Sequence, residues 1–161
     1  MTELRAPAEL VSRRARWYWT ARAAVGWIVV GILATIVLPA ADPTAIVETC
    51  VVVALVALAF AHLLVMPQWR YRVHRWEVTD TAAYTQAGWL RQERRIAPIV
   101  RIQTVDTERG PFEQLFGLVN VTATTASAKG PIKINALDRG VAERTAAWLT
   151  ERAQASGADG T

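Results

Sequence analysis

The sequence predicts a membrane α-helical hairpin followed by a small β-rich domain. Two long uncharged or nearly uncharged stretches lie close together in the N-terminal half, and the chain beyond them alternates between polar and apolar residues. Hydrophobic residues make up 52% of the chain, slightly above the range of soluble domains, and nearly all of the excess lies in residues 23–66. We therefore expect an integral membrane protein with one extramembrane domain.

The two apolar stretches are residues 23–41 and 45–66. The first has no charged residue and spans roughly 28 Å as a helix, close to the hydrocarbon thickness of a bilayer. Because backbone amides in a bilayer must be paired internally, each stretch is predicted to be a transmembrane helix. Asp42 suits the N-cap and Pro43 the first position of the second helix, which makes the hairpin tight. Two buried helices of a soluble bundle are disfavoured, because neither stretch has a polar face.

Arginine placement predicts the orientation of this hairpin. Residues 1–22 form a basic and aromatic segment, more arginines follow the second helix, and the turn contains neither lysine nor arginine. Because positively charged flanks stay inside, we expect a multi-pass protein of the bacterial inner membrane with both termini cytoplasmic. The arginines concerned are Arg5, Arg13, Arg14, Arg16 and Arg22 before the hairpin, and Arg70, Arg72 and Arg75 after it.

Glu48 and His62 are the ionisable interruptions of the second stretch. They lie about 21 Å apart along a helix, so they cannot pair within one chain. Each lies within about one turn of a predicted membrane boundary. We therefore interpret both as interfacial residues rather than as parts of a proton or ion pathway.

Residues 67–153 are predicted to form the β-rich domain, and residues 154–161 a disordered tail. The first strand carries Trp69, Tyr71 and Val73 on one face, and its phase shifts before Trp76. Turns at residues 80–81 and 88 separate further strands at residues 83–86, 94–97, 101–107, 119–124 and 132–135.

Two short helical patterns complete the domain. Phe112, Leu115 and Phe116 have the spacing of one helical turn, which Gly117 can close in a left-handed conformation. An amphipathic helix is expected after Asp138. Six or seven short strands followed by one helix predict a small β-sandwich or partial barrel with a C-terminal α-helix. A PH-like domain fits this order, although periodicity alone does not select it among small β folds.

Several short motifs resemble those of a known family. The run Arg101-Ile102-Gln103-Thr104-Val105-Asp106 is followed by Gly110-Pro111, Leu115-Phe116-Gly117-Leu118 and Thr125-Ala126. With Tyr71-Arg72-Val73, Gly88-Trp89-Leu90 and two preceding transmembrane helices, they resemble the bacterial PH-domain membrane proteins of the YdbS-like type, a domain of unknown function. The resemblance extends from about Arg13 to Arg152, although Gln114 stands where relatives commonly carry arginine.

The resemblance implies a PH-like fold in a membrane-anchored, non-enzymatic module. Such proteins are often accompanied by a larger relative with repeated domains of the same kind, so a larger PH-domain membrane protein is the expected partner. The motif residues are interpreted as structural, with glycine for positive φ and Phe and Leu for the core. They are Arg101, Gln103, Gly110, Pro111, Leu115, Phe116 and Gly117. Arg101 and Gln103, on one face of a predicted strand, could instead contact a peptide or a lipid headgroup.

The residue types argue against enzymatic chemistry. His62 and His74 are separated by the predicted membrane boundary, and Cys50, the single cysteine, lies inside the hairpin. No nucleophile triad, carboxylate pair, phosphate loop or metal-ligand spacing is recognisable. We expect no catalytic residue, cofactor or metal site, and no nucleic-acid partner, since the positive-inside rule already explains the basic charge.

Six arginines support a lipid-binding alternative. Cations beside an anionic leaflet gain about 1 kcal/mol each, so they could hold the domain against phospholipid headgroups. They are Arg70, Arg72, Arg75, Arg91, Arg94 and Arg95. Two hypotheses follow: an interaction module that assembles with a larger membrane protein, and an anionic-lipid-sensing surface held at the inner leaflet by the hairpin.

Overall fold

The computed structural model describes residues 6–41, 43–127 and 130–158. A helical hairpin comes first, apart from one short strand, and an antiparallel β domain closed by a helix follows. The elements in chain order are β1 (Glu9–Leu10), α1 (Ala15–Ala40), α2 (Ala45–Val73), β2 (Arg75–Val78), β3 (Ala82–Ala87), β4 (Glu93–Pro98), a 3₁₀ turn (Ile99–Arg101), β5 (Ile102–Glu108), α3 (Pro111–Leu115), β6 (Leu118–Thr125), β7 (Ile132–Asp138) and α4 (Arg139–Ala158).

Helices α1 and α2 form the predicted hairpin. Both are long and apolar enough to cross a membrane, and their most apolar stretches are almost entirely exposed. Such a large exposed apolar surface is unfavourable in water, so lipid is its natural solvent. The helices pack side by side, and Trp27 Nε1 donates a hydrogen bond to His62 Nδ1 over 2.9 Å. Helix α2 begins at Ala45 with Thr44 at the N-cap position. The predicted cap, Asp42, lies outside the described residues.

The β domain consists of two antiparallel sheets, which confirms the predicted fold class. One sheet has the strand order β1-β2-β3-β4 and the other β5-β6-β7. Alternate residues of β6 and β7, such as Val121 and Ile134, are buried between the sheets and α4. Leu149 of α4 is completely buried in the same core. The C-terminal helix therefore covers the open side of the sheets, as the amphipathic pattern predicted.

The predicted first strand of the domain is wrong. Trp69, Tyr71 and Val73 were expected to share a strand face, but α2 continues through this segment and ends at Val73. Extending an existing helix costs little, because each added residue except Pro67, which has no N–H, can gain a hydrogen bond without a new nucleation step. The helix stops at His74, whose backbone N–H and ring Nδ1 both bond the Arg70 carbonyl, at 2.9 and 2.8 Å.

Two smaller boundaries also differ from the prediction. Arg101 lies in the 3₁₀ turn rather than in a strand, and this turn brings Ile99 into the core. Strand β5 starts at Ile102, and a bulge follows it before Thr104. At the C-terminus, α4 extends to Ala158, so residues 154–158 are helical rather than disordered. The extension contains Gln154, Ala155 and Ala158, which are good helix formers, as well as the poorer formers Ser156 and Gly157, and it continues a helix that packing already holds.

The segment before α1 is part of the β domain, although no pattern in the sequence predicted this. Strand β1 pairs with β2. The Ser12 N–H bonds the Ala136 carbonyl at 3.0 Å, and the Ser12 hydroxyl bonds Asp138 at 2.8 Å. Ala136 has φ 59, and its N–H bonds the Asn120 side chain at 2.8 Å. The domain boundary predicted at residue 67 therefore leaves out one strand and part of the core.

Trp17 and Trp19 provide a matched test of this arrangement. Trp19 is 3% exposed in a cluster with Met66 and Leu118, whereas Trp17 is 68% exposed. We expect Trp19→Ala to lower the free energy of unfolding by about 3–5 kcal/mol. Trp17→Ala, as the control, should change it by no more than about 0.5 kcal/mol. Denaturant unfolding in detergent micelles measures both, and equal effects would contradict the role of residues before the membrane in the domain core.

Candidate interaction surface

The junction between α1, α2 and the β domain is built around Trp19. The Arg70 guanidinium lies 4.6 Å from the centre of the indole ring, and the centre of the His74 ring lies 4.8 Å from it. Arg70 Nε is buried and makes no hydrogen bond within the described structure. Stacking on an aromatic face partly compensates the loss of hydration of a guanidinium. Arg70 therefore joins the two helices to the domain.

A second junction joins α3 to α1. The Tyr18 hydroxyl donates to Glu113 Oε1 over 2.8 Å and accepts from Arg22 over 3.1 Å, while the Phe116 ring meets the Tyr18 ring edge to face. Burial raises the pKa of Glu113, but hydrogen bonds from Tyr18, its own backbone and Asn120 outweigh this and hold the pKa below its usual value. The ionised carboxylate thus fixes the position of α3.

His74 is the buried titratable group of the first junction. Its side chain is enclosed where α2 ends, and burial lowers its pKa to about 4, although the hydrogen bond to the Arg70 carbonyl acts in the opposite direction. The ring is therefore neutral at physiological pH.

This shift predicts a pH-dependent stability. The pKa in the folded protein, about 4, lies below the unfolded value of 6.5, so the unfolded chain binds the proton more readily between these values. Stability from His74 is fully present above pH 6.5 and is lost as the pH falls toward 4, by roughly 3 kcal/mol in total at about 1.4 kcal/mol per pKa unit. Unfolding at pH 7.5 and 5 measures it. In His74→Asn, which keeps a donor for the carbonyl, the pH dependence should be weaker; an unchanged dependence would contradict the assignment.

A cleft of about 530 Å³ on the domain surface, here called the arginine cleft, contains three arginines. It lies between β4 and the turn that connects β6 to β7. Its arginines are Arg94, Arg95 and Arg101, and Ile96 and Ile132 supply apolar walls. The further lining residues are Glu93, Ala97, Pro98, Thr125, Ser127 and Gly130.

Arg95 connects the two walls of the arginine cleft. Its Nε bonds Glu93 at 2.7 Å, and its Nη1 bonds the Pro131 carbonyl at 3.0 Å across the cleft. All six residues of β4 line the cleft, so the strand presents its edge rather than one face. Within the described residues, β4 pairs with β3 alone. An edge strand with unpaired backbone groups can accept a further strand from another chain.

The structure separates the six arginines that were predicted to contact lipid. Arg70 stacks on Trp19, and Arg75 donates to the carbonyls of Arg72 and Pro7 at 3.4 and 3.5 Å. Arg72 and Arg91 are exposed, the first in the last turn of α2 and the second in the β3–β4 loop. Arg94 and Arg95 line the arginine cleft. They do not form one continuous basic face.

The motif residues also occupy different environments. Gly117 has φ +66 and ends α3, as its expected role requires. Phe116 packs on Tyr18, but Leu115, expected in the core, is 77% exposed. The helical turn was predicted correctly, but its apolar side chains are divided between the core and the surface, because α3 has only five residues. Gly110 and Pro111 begin α3, whereas Arg101 and Gln103 are exposed.

Within residues 6–41, 43–127 and 130–158, no group of three or more His, Cys, Asp or Glu side chains could hold a metal ion. Cys50 is exposed on α2. His62 bonds Trp27 within the hairpin, and Glu48 lies in the first turn of α2.

A membrane hairpin continuous with a small antiparallel β domain, covered by a C-terminal helix, defines a membrane-anchored β module. The family model described as "Bacterial PH domain" matches residues 22–153, and the chain belongs to this family. This confirms the family to which the motifs pointed.

A curated relative supports the membrane assignment. The chain is 35% identical over 65 residues to the UPF0699 transmembrane protein YdbS of Bacillus subtilis (strain 168). The match covers 40% of this chain and 41% of that relative. No solved structure matches the chain significantly. With the two apolar helices, these findings identify a membrane protein of the bacterial PH-domain family, for which no enzymatic activity is indicated.

Proposed function

We propose that this protein is a non-enzymatic interaction module that assembles with a larger membrane protein containing domains of the same kind. The hairpin would hold it in the bacterial inner membrane with both termini in the cytoplasm, as the arginine distribution indicates. The observation that carries the proposal is the arginine cleft, where the edge of β4 runs along a cavity of about 530 Å³ with three arginines at its sides.

The chemistry of the cleft indicates the kind of segment that would bind. An extended segment could pair with the outer edge of β4, since main-chain hydrogen bonds supply affinity in strand addition. Carboxylates of that segment would pair with Arg94 and Arg101, because charge-assisted hydrogen bonds to guanidinium are strong. Ile96, which is 41% exposed, would contact its apolar side chains. The proposed ligand is therefore an acidic, extended segment of the partner.

Photo-crosslinking in native membranes tests this assembly. A photo-reactive amino acid at position 96, in the cleft, should crosslink the full-length protein to a membrane protein that contains PH-like domains, through an acidic segment. Arg101→Glu places a like charge beside that segment, so the crosslinked yield should fall at least tenfold, which is about 1.4 kcal/mol of binding. Arg144→Glu on α4 is the matched control and should leave the yield unchanged. Equal yields in the two variants, or a crosslink to a segment without acidic residues, would refute the cleft as the binding site.

Arg72 and Arg91 favour the second candidate, a surface that senses anionic lipid. Both are exposed; Arg72 lies in the last turn of α2, and Arg91 lies in the loop whose Trp89 carbonyl accepts a hydrogen bond from Trp69 of α2. Cations at this position gain about 1 kcal/mol each from an anionic leaflet.

Lipid-dependent stability tests this second candidate. Under it, phosphatidylglycerol should raise the melting temperature of the full-length protein in mixed micelles more than phosphatidylcholine does, and the double variant Arg72→Gln/Arg91→Gln should abolish the difference. The control pair Arg139→Gln/Arg144→Gln, on α4, should retain it. If both variant pairs lose the difference in melting temperature, if both retain it, or if the two lipids raise the melting temperature of the unmodified protein equally, the domain does not recognise headgroup charge through Arg72 and Arg91.

A further inference from the structure

Contacts between α1 and α2 establish which residues of the two helices lie at the same depth. Trp27 bonds His62 over 2.9 Å, and Trp19 contacts Arg70 about two turns nearer the chain termini. The charge-free stretches of both helices end between these two contacts. The membrane boundary on the side of the termini therefore crosses the hairpin between them.

The β3–β4 loop reaches this boundary beside α2. The Trp89 carbonyl accepts a hydrogen bond from Trp69 Nε1 at 3.0 Å, and the Trp89 ring lies 5.8 Å from the His62 ring. His62 lies about one helical turn inside the end of the apolar stretch at residue 66. The next residue, Leu90, is 82% exposed. An exposed leucine thus follows a tryptophan that already reaches the depth of the membrane helices.

Helix α3 reaches the same boundary beside α1. Glu113 bonds Tyr18, which in turn bonds Arg22, the last charged residue before the apolar stretch. On the remaining surface of α3, Phe112 is 42% and Leu115 77% exposed. Aromatic and aliphatic side chains at the depth of a bilayer interface are typical of groups that insert among headgroups.

The β3–β4 loop and α3 are the two tips of the domain, and their hydrogen bonds to α2 and α1 hold both at the membrane boundary. Strand β4 leads away from the first tip, and β5 leads back toward the second. Val100, at the turn between these strands, therefore lies about the length of a strand away from both tips. Its exposure of 70% is close to that of Leu90 and Leu115.

We propose that the β3–β4 loop and α3 insert Leu90 and Leu115 into the bilayer leaflet nearest the chain termini. The β domain is then held against the membrane at three places: the hairpin, the loop beside α2 and the short helix beside α1. The ligand is the lipid itself, and its recognition depends on apolar side chains rather than on headgroup charge. This contact limits rotation of the domain and so determines the direction in which the arginine cleft faces.

Spin labels at the two tips test the proposal in phosphatidylcholine nanodiscs. The full-length protein with Cys50→Ser provides the background, and Leu90→Cys, Leu115→Cys and Val100→Cys each carry one nitroxide. Collision rates with oxygen, which concentrates in lipid, and with a water-soluble nickel chelate are then compared. The ratio of oxygen to nickel collisions should be several-fold higher at positions 90 and 115 than at position 100. Circular dichroism verifies the fold of each variant, and the high exposure of all three side chains makes these substitutions mild.

Each result decides the matter. A ratio at either tip equal to that at position 100 means that the tip lies in water, and this overturns the proposal. A label shielded from both reagents lies against protein, as in contact with a second copy or a partner, and this also overturns it. Only access to oxygen together with exclusion of the nickel chelate at both tips supports insertion into lipid.

Discussion

The structure depends on the continuation of helices α1 and α2 beyond the membrane and into the β domain. Lipid provides no hydrogen-bond partners for the backbone, so residues 23–41 and 45–66 must be helical, and the helix already formed extends into the domain at little cost. Trp19 of α1 and Arg70 of α2 meet in this extension. The base of the β domain is therefore made from the same helices that cross the bilayer, without a flexible linker between anchor and domain.

This continuity explains why the domain cannot be separated from its anchor by cutting the chain at one point. Strand β1 and the buried face of early α1 come before the first membrane-spanning stretch, yet they pack on β2, β7 and α2. Ser12 holds Ala136 in a left-handed conformation that alanine rarely adopts, together with Asn120. Two chain segments on either side of the hairpin thus form one core, and the orientation of the domain follows from that of the helices.

The same geometry gives the arginines different structural roles. Arg70 is stacked in the junction, Arg95 connects the walls of the arginine cleft, and Arg72 remains on the surface near the membrane. Arginines that form one basic group in the sequence therefore occupy different environments in the structure. The arginine cleft runs along β4, which begins three residues after Leu90, so protein binding and lipid contact would use neighbouring surfaces with different residues.

The sequence alone determined the hairpin, the class of the β domain and the covering helix, because each depends on a periodicity or a solvent requirement that is local to the chain. The alternation in β6 and the uncharged stretches are patterns of this kind. The strand predicted from the alternation of Trp69, Tyr71 and Val73 is wrong, because these residues belong to α2, which continues out of the membrane.

Only the tertiary structure decided the docking of β1, the positions of the arginines and the exposure of Leu115. These features depend on contacts between residues far apart in the chain, such as Ser12 with Asp138 and Tyr18 with Glu113. A short helix such as α3 shows an apolar face in its sequence, but whether core or bilayer receives that face depends on where its neighbours hold it. Local pattern specifies which side chains seek an apolar environment, and the packing of distant segments specifies which environment each one meets.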